Sequence, residues 1–594
     1  MNHTFHIPVL GLGYSVDTPL KVARYGISSV MSVVDDDLLE RMRQYHTLLN
    51  SRPYQPISKK EPDFRARRVT AYLDLVADLT SLQFAQMKAL PFKADNDLGR
   101  YFELLPETAR LKHGYELMLD FPDGGQKKYF QELLKSEMTL GAIDINIMAK
   151  VDKINYGPNG EPAGELHSDA LAALRGFAKS KLRSAVILSA GMNPRLYSYL
   201  ETFPDFFPDS LGFMCKRIIL KVSDFRSAFI QAKFLAKKGL WVSEFRVESG
   251  LNCGGHAFAT EGFLLGPILE EFKQRRVEMV NELFTGYQAA LQEKGIASCL
   301  PAPEQKLSVQ GGIGTALENT FLLNHYQVDA TGWGSPFLLV PEVTNVDKDT
   351  LKQLELARED DFYLSGASPL GILFNNFKGA TAELQRLKRL QNNRPGSPCT
   401  KKYLVTNTEF TEKPICIASR QYQHLKIGQL QGLGLEEAAY KQQYQSIVEK
   451  LCLCEGLSAS AYLKYDMLKP KENKAVAICP GPNLAYFSGS YTLEEMVAHI
   501  YGALDLLGKV KRPHMFIKEL NLYINYLQSD LQAQLQDLNE KKKKQLSKFK
   551  LQLQDGIDYY KRLFSAPTQD TAQLLQDCLR ELTDSETRLS SIQI

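Results

Sequence analysis

The chain lacks any run of about 18 apolar residues, the least that spans a bilayer as one helix. Its start, Met1-Asn2-His3-Thr4-Phe5-His6, has no basic region followed by an apolar stretch. Neither a membrane span nor a secretory signal is visible, and a cytoplasmic protein is expected. An excess of charge of one sign is also missing. The 71 lysines and arginines against 68 aspartates and glutamates leave a net charge of +3, which gives no field for nucleic acid or an anionic membrane. Nine cysteines fall in irregular positions, so no small disulfide framework is expected, and in a reducing compartment they are thiols or ligands. What is present is an ordinary globular composition, 44% hydrophobic and 23% charged over 594 residues, enough for a large core domain and at least one more.

Strand character opens the chain at Ile7-Pro8-Val9-Leu10-Gly11-Leu12-Gly13-Tyr14-Ser15. Asp17-Thr18-Pro19 then starts a short helix, and a second apolar strand follows over 26–34. From 35 to 138 the pattern turns charged and helical, which reads as an insertion. Strand character returns at 141–148, 184–191, 217–222 and 241–247, with helical segments between, such as 224–237. Strands alternating with helices predict a parallel sheet with helical cover.

The segment Arg246-Val247-Glu248-Ser249-Gly250-Leu251-Asn252-Cys253-Gly254-Gly255-His256 carries the first functional signal. It runs from a strand end into a glycine pair with no side chain to keep a ligand off the backbone. A flat cofactor can lie close there, and His256 beside it can take or give a proton near neutrality. A hydrogen-bonded histidine on a tight turn is the plainer alternative. Glu248 is explained equally well by a salt bridge or a solvated position and is left out of the catalytic set. The second signal is the pair Leu307-Ser308-Val309-Gln310-Gly311-Gly312-Ile313-Gly314-Thr315 and Val328-Asp329-Ala330-Thr331-Gly332-Trp333-Gly334-Ser335-Pro336-Phe337, with a helical stretch over 316–326 between them. In a β/α barrel the loops after the last two strands hold a phosphate on backbone N–H groups.

In the order of these motifs, residues 7–418 resemble the FMN-dependent nitronate monooxygenases, formerly called 2-nitropropane dioxygenases, and their enoyl-reductase relatives. Residues 7–20 look like the family's opening strand. Asn146 stands at its asparagine on the second flavin-side strand, and Ser189-Ala190-Gly191-Met192 is similar to a short family motif. Cys253-Gly254-Gly255-His256 resembles the Ala-Gly-Gly-His motif with the catalytic histidine. Ser368-Pro369-Leu370-Gly371, with Asn375 and Phe377, resembles the segment returning toward the active site, and Pro414-Ile415-Cys416-Ile417-Ala418 has a counterpart in one branch.

The resemblance implies an α/β fold, a (β/α)8 TIM barrel with a large helical insertion after the first β-α-β unit and a mostly helical C-terminal extension. It also implies FMN, with phosphate on Gly311, Gly312, Gly314, Gly334 and Ser335. The ring would lie near Gly11, Gly13 and Asn146, beside Gly254 and Gly255, and His256 would act as acid/base. The leading activity is oxidation of a small activated carbon acid. The alternatives are enoyl reduction in lipid or polyketide metabolism and a flavin-binding scaffold whose helical parts hold a protein partner. The insertion, longer than the family norm, Cys253 in place of alanine, and Gly314-Thr315 depart from the pattern.

The expected organisation is barrel start 1–34, insertion 35–138, barrel remainder 139–391, cysteine-containing extension 392–490 and helical tail 491–594. In the extension, Cys416, Cys452, Cys454 and Cys479 are candidate ligands for zinc or an iron–sulfur cluster, with buried thiols as the alternative reading. The tail reads as one long helical pattern from 493 to 563. Its lysine run at 541–544 fits a solvated face, and an oligomerisation or partner-binding arm is the alternative.

Overall fold

The computed structural model describes residues 3–93, 95–156, 161–189, 191–252, 261–296, 301–508, 510–533, 539–565 and 572–594. Eight parallel strands close into a barrel: β1 Phe5–Ile7, β2 Ser28–Ser32, β3 Ile143–Met148, β4 Ala185–Ser189, β5 Arg217–Val222, β6 Val242–Glu248, β7 Lys306–Gln310 and β8 Ala330–Gly332. β1 pairs with β2 (His6 opposite Ser28) and with β8 (His6 opposite Gly332), which removes both edges of the sheet. The fold is the expected TIM barrel. A separate two-stranded hairpin, β9 Phe362–Ser365 and β10 Phe374–Phe377, follows it.

The first strand is shorter than its apolar run. It stops at Ile7 because Pro8 has no N–H for a ladder, and Gly11 takes φ +61°, outside the extended region. Residues 35–138 contain five helices, Asp36–Leu49, Phe64–Lys88, Asp97–Glu103, Arg110–Asp120 and Gly125–Glu137. They form the connection between β2 and β3. The helix Phe64–Lys88 lies on Asp169–Ala178 so closely that a Cβ on Gly176 would sit 2.6 Å from Val69 Cβ. Buried ion pairs lock this seam, with Arg65 bridging Asp36 (3.1 Å) and Asp169 (3.2 Å).

Inside the barrel the two halves differ. Val9, Val30, Ala185, Ile187 and Ile219 form an apolar cluster distinct from the main core. The opposite half holds His6, Lys221, Arg246, Glu248, Ser308 and Gln310, all buried. A packed barrel normally fills this space with branched aliphatic side chains. Charges placed there cost free energy unless paired, and these are paired with one another.

The tail is three helices where the pattern reads as one: Leu493–Tyr501, Met515–Ala533 and Glu540–Ser565, followed by Ala572–Ser590. Gly502, in the left-handed region at φ +86°, ends the first of them. Met515–Ala533 and Glu540–Ser565 both pack against the barrel helix Leu265–Glu293. Among the described residues no helix is long and apolar enough to cross a membrane.

Candidate active site

At the C-terminal mouth of the barrel the strands deliver polar side chains to one point. Glu248 ends β6, and its Oε1 accepts from Lys221 Nζ of β5 (2.6 Å), Gln310 Nε2 of β7 (2.6 Å) and Asn252 Nδ2 (2.5 Å). Gln310 Oε1 in turn meets His6 Nε2 of β1 at 3.3 Å. Burial, then the nearby Arg246 charge, pushes the His6 imidazole well below its ordinary range, so it is neutral. Four strands thus share one hydrogen-bonded network. Its centre is Glu248, which the sequence reading set aside. The available signal was position, since Lys221, Glu248 and Gln310 all stand in the last two residues of their strands. Deeper in the barrel Arg246 donates to Glu244 (2.9 Å) and lies 3.6 Å from Asp144, whose carboxyl burial pushes up.

Asn146, on β3 across the barrel, is 3% exposed. Its Oδ1 is buried with no hydrogen-bond partner among the described residues. A buried carbonyl left unsatisfied costs about 1–3 kcal/mol, so it fits a donor that the protein itself does not supply.

The two glycine loops stand side by side after β7 and β8. Gly311 and Gly312 take φ +104° and +82°, which favours glycine. A Cβ on Gly312 would come 2.6 Å from Leu251 Cδ1, and one on Gly311 would lie 3.0 Å from Asn252 backbone. The glycines therefore admit the Leu251 side chain and the Asn252 backbone in the first place. The backbone N–H groups of Gly312, Gly334 and Ser335 have no acceptor among the described residues. Ser335 opens the 3-10 turn Ser335–Leu339 with a proline next in line, and the N–H of Ser335 itself suits an anion.

Gly314 is committed otherwise. Its N–H donates to Glu318 Oε2 (2.9 Å), its carbonyl accepts from His499 Nε2 (2.9 Å), and the Arg512 guanidinium lies 2.7 Å from where its Cβ would be. A carboxylate at that amide leaves no place for a phosphate oxygen, which removes Gly314 from the expected phosphate set. Arg512 also donates to Gly312 O, to Asn483 Oδ1 (2.8 Å) and to Glu318 Oε1 (2.6 Å). The extension and the tail thus build the rear wall of this loop.

Gly11 and Gly13 also serve packing. Gly13 N–H donates to Leu457 O (2.9 Å), and a Cβ there would lie 3.1 Å from Ala461 Cβ. The close approach that Gly13 permits is that of the helix Leu453–Lys464. This helix caps the ends of β1–β3 and encloses an apolar cavity of about 40 Å³, lined by Leu12, Val34, Met148, Leu370, Leu404 and Leu453 among others. From the hairpin, Asn375 Nδ2 donates to Asn252 O (3.2 Å), which brings β10 to the segment before Cys253. Cys253, Gly254, Gly255 and His256 lie outside the described residues.

The expected metal centre is not formed. Among the described residues no group of three or more histidine, cysteine or acidic side chains is arranged to hold a metal. Cys416 is hydrogen-bonded to Cys399, which with burial holds the Cys416 thiol protonated. Burial pushes the Cys452 thiol up to about 12 and raises Cys454 as well.

No protein-family model matches the chain, and no curated protein matches it. Among solved structures it is similar to FabK from Thermotoga maritima, with TM-score 0.34 and 10% identity over 88% of this chain and 96% of that one. It is also similar to the enoyl reductase domain of MlnA from Bacillus amyloliquefaciens (0.30, 15%, 70% and 87%) and to nitroalkane oxidase from Streptomyces ansochromogenes (0.32, 10%, 84% and 96%). At these TM-scores the likeness carries no argument about activity, and the barrel rests on its own closed strand register.

Proposed function

We propose that this protein is an FMN-dependent oxidoreductase, resembling the nitronate monooxygenases and their enoyl-reductase relatives, with a small organic substrate. The observation that carries the reading is the orphaned Asn146 Oδ1 at the barrel mouth. A flavin ring edge bears an N–H of the kind this acceptor needs. The uncommitted N–H groups of Gly312, Gly334 and Ser335 are suited to the phosphate. Bound FMN supplies the two-electron acceptor or donor. The protein's own part is to orient and to exclude water: Lys221, Gln310 and Asn252 fix Glu248, and the helix Leu453–Lys464 covers the mouth. In this reading His256 moves a proton at the substrate carbon beside the activating group, through its imidazole.

The apolar cavity favours a second form of the same reading. Its lining is mostly hydrocarbon or thioether, with Ser368, Tyr403 and Cys454 as the polar members, and at about 40 Å³ it has room for a small apolar substrate group. Enoyl reduction of a substrate that carries such a group is this second form.

The absorption spectrum of the purified protein tests the flavin. FMN at one per chain is expected, with Asn146→Ala retaining less. Colourless protein that takes up no added FMN would sink the reading. Anaerobic mixing then separates the two forms. Bleaching by an alkyl nitronate supports oxidation, whereas bleaching by a reduced nicotinamide followed by reoxidation with an enoyl thioester supports reduction.

A further inference from the structure

The end of the barrel away from the mouth is hollow. A cavity of about 290 Å³ lies there, and each of the eight strands lines it with its first or second residue, as with Ser28 of β2, Ala185 of β4 and Ala330 of β8. A packed barrel fills this level with branched aliphatic side chains. Here Ser28, Ala142, Ala185 and Ala330 present small ones, and the space stays open. At about 30 Å³ per water it has the room of about ten waters, or of a molecule with about ten non-hydrogen atoms.

The charged groups on this cavity divide into committed and uncommitted ones. Glu244 Oε1 accepts from Arg246 Nε (2.9 Å), lies 2.8 Å from Arg246 Nη2 and also accepts from Ser308 Oγ. Lys306 is matched by Glu304 at 3.5 Å. These groups neutralise one another. Arg246 Nη1, on a side chain only 4% exposed, has no hydrogen-bond partner among the described residues. Arg217 forms no ion pair and no side-chain hydrogen bond among the described residues. Asp144 is 6% exposed, yet it accepts one hydrogen bond, from Ala185 N–H at 3.4 Å, and its nearest cation is Arg246 Nη2 at 3.6 Å. Ser243 Oγ is buried with no partner among the described residues. A buried carboxyl and hydroxyl left this short of partners cost free energy that the fold does not recover.

The uncommitted set is therefore two guanidinium groups, one carboxyl and one hydroxyl around a single space. A plain anion serves the guanidinium groups and leaves Asp144 without a donor. An amine does the reverse. Water fills the volume but brings no charge to either. A molecule with a carboxylate and an ammonium on one carbon serves both sides, because the carboxylate matches the planar N–H pairs of arginine and the ammonium gives three donors to the carboxyl and hydroxyl.

We propose that the N-terminal end of the barrel is a binding site for a free α-amino acid, whose carboxylate is held by Arg217 and Arg246 and whose ammonium is held by Asp144 and Ser243. The site needs no flavin, so it stands or falls apart from the oxidoreductase reading. His6 is the member of the Glu248 network that also lines the cavity.

Isothermal titration of the purified protein with each of the twenty standard amino acids, one at a time, tests this. We expect at least one to bind at one per chain with a Kd of about 1 mM or tighter. The amine and the acid obtained by removing its carboxylate or its ammonium should each bind at least about tenfold more weakly. Arg217→Gln and Asp144→Asn should weaken binding by about tenfold or more, and Ala330→Leu, which fills the space, should abolish it. Asn146→Ala, at the mouth, should leave the Kd unchanged.

The proposal is overturned if none of the twenty binds, which marks a cavity that holds water alone. It is also overturned if Arg217→Gln and Asp144→Asn bind as wild type does, if the amine or the acid binds as tightly as the amino acid, or if Asn146→Ala is the variant that loses binding, which places the ligand at the mouth. Should Asp144→Asn or Ala330→Leu not fold, Arg217→Gln decides, since that side chain is exposed at the rim and its loss leaves the barrel intact.

Discussion

Replacing Arg512 with methionine tests how the tail and the glycine loop are joined. Arg512 and Glu318 form an ion pair at 2.6 Å with both side chains 4% exposed. Removing one partner of a buried pair costs about 3–5 kcal/mol, because the other charge stays in place without compensation. Two donors to Glu318 survive the change, Gly314 N–H (2.9 Å) and Met515 N–H (2.8 Å), which argues for the lower end. Against this, the bonds to Gly312 O and to Asn483 Oδ1 are lost, at about 1 kcal/mol each. A loss of about 4 kcal/mol is expected for flavin-free protein at pH 7.5, read from urea midpoints at constant slope.

The pH dependence sharpens this test. Burial pushes the Glu318 carboxyl up, but the charges of Arg512 and His514 and the hydrogen bonds of Arg512 and Gly314 together hold it below its ordinary 4.5. A depressed carboxyl contributes stability above the unfolded value, and that contribution is lost as pH falls through the folded one. In Arg512→Met burial prevails, the folded value rises above 4.5, and stability falls with rising pH instead. The pair Arg512→Met/Glu318→Gln should recover part of the loss, since no carboxylate is then left buried. A single-variant loss below about 1 kcal/mol, or an unchanged pH profile, would refute the buried-pair reasoning.

Three further outcomes are expected. Burial, opposed by the N–H and hydroxyl donors around it, raises Glu519 from 4.5 to about 7. Its contribution to stability is therefore complete below pH 4.5 and is lost as pH rises to about 7, which amounts to about 3 kcal/mol. The stability difference between wild type and Glu519→Gln should drift by that amount over this window, and a constant difference would disprove the assignment. Cys399, held down to about 7 by the Cys416 hydrogen bond despite partial burial, should be alkylated by iodoacetamide before Cys416, Cys452 and Cys454, as mapped by mass spectrometry; later labelling would contradict it. Gly312→Ala strains a backbone at φ +82° and meets Leu251 at 2.6 Å, so it should lose about 2 kcal/mol or more and retain FMN poorly, checked by urea titration and flavin content. Full stability would show that the loop relaxes freely.

The strands and their glycine loops were legible in the chain because both are local. A run such as Arg217-Ile218-Ile219-Leu220-Lys221-Val222 states its own extended geometry, and alternation with helical stretches states a parallel sheet with helical cover, which the structure closes into a barrel. Gly311 and Gly312 likewise declare positive φ by their type. Tertiary structure alone decided which groups these loops would meet. Gly13 has room for a ligand until the helix Leu453–Lys464 takes it. Glu248 is an ambiguous acid until Lys221 and Gln310 arrive from neighbouring strands. Cys416 meets Cys399, where spacing left a metal site open. Arg512 and Glu519 are two charges in an unremarked tail until they insert at Gly314 and between Gly250 and Leu265. The physical reason is common to all of these. Periodicity and residue type govern dihedral angles within a few residues, whereas the partner of a buried polar group is set by which faces pack across hundreds of residues, and that packing is a property of the whole chain.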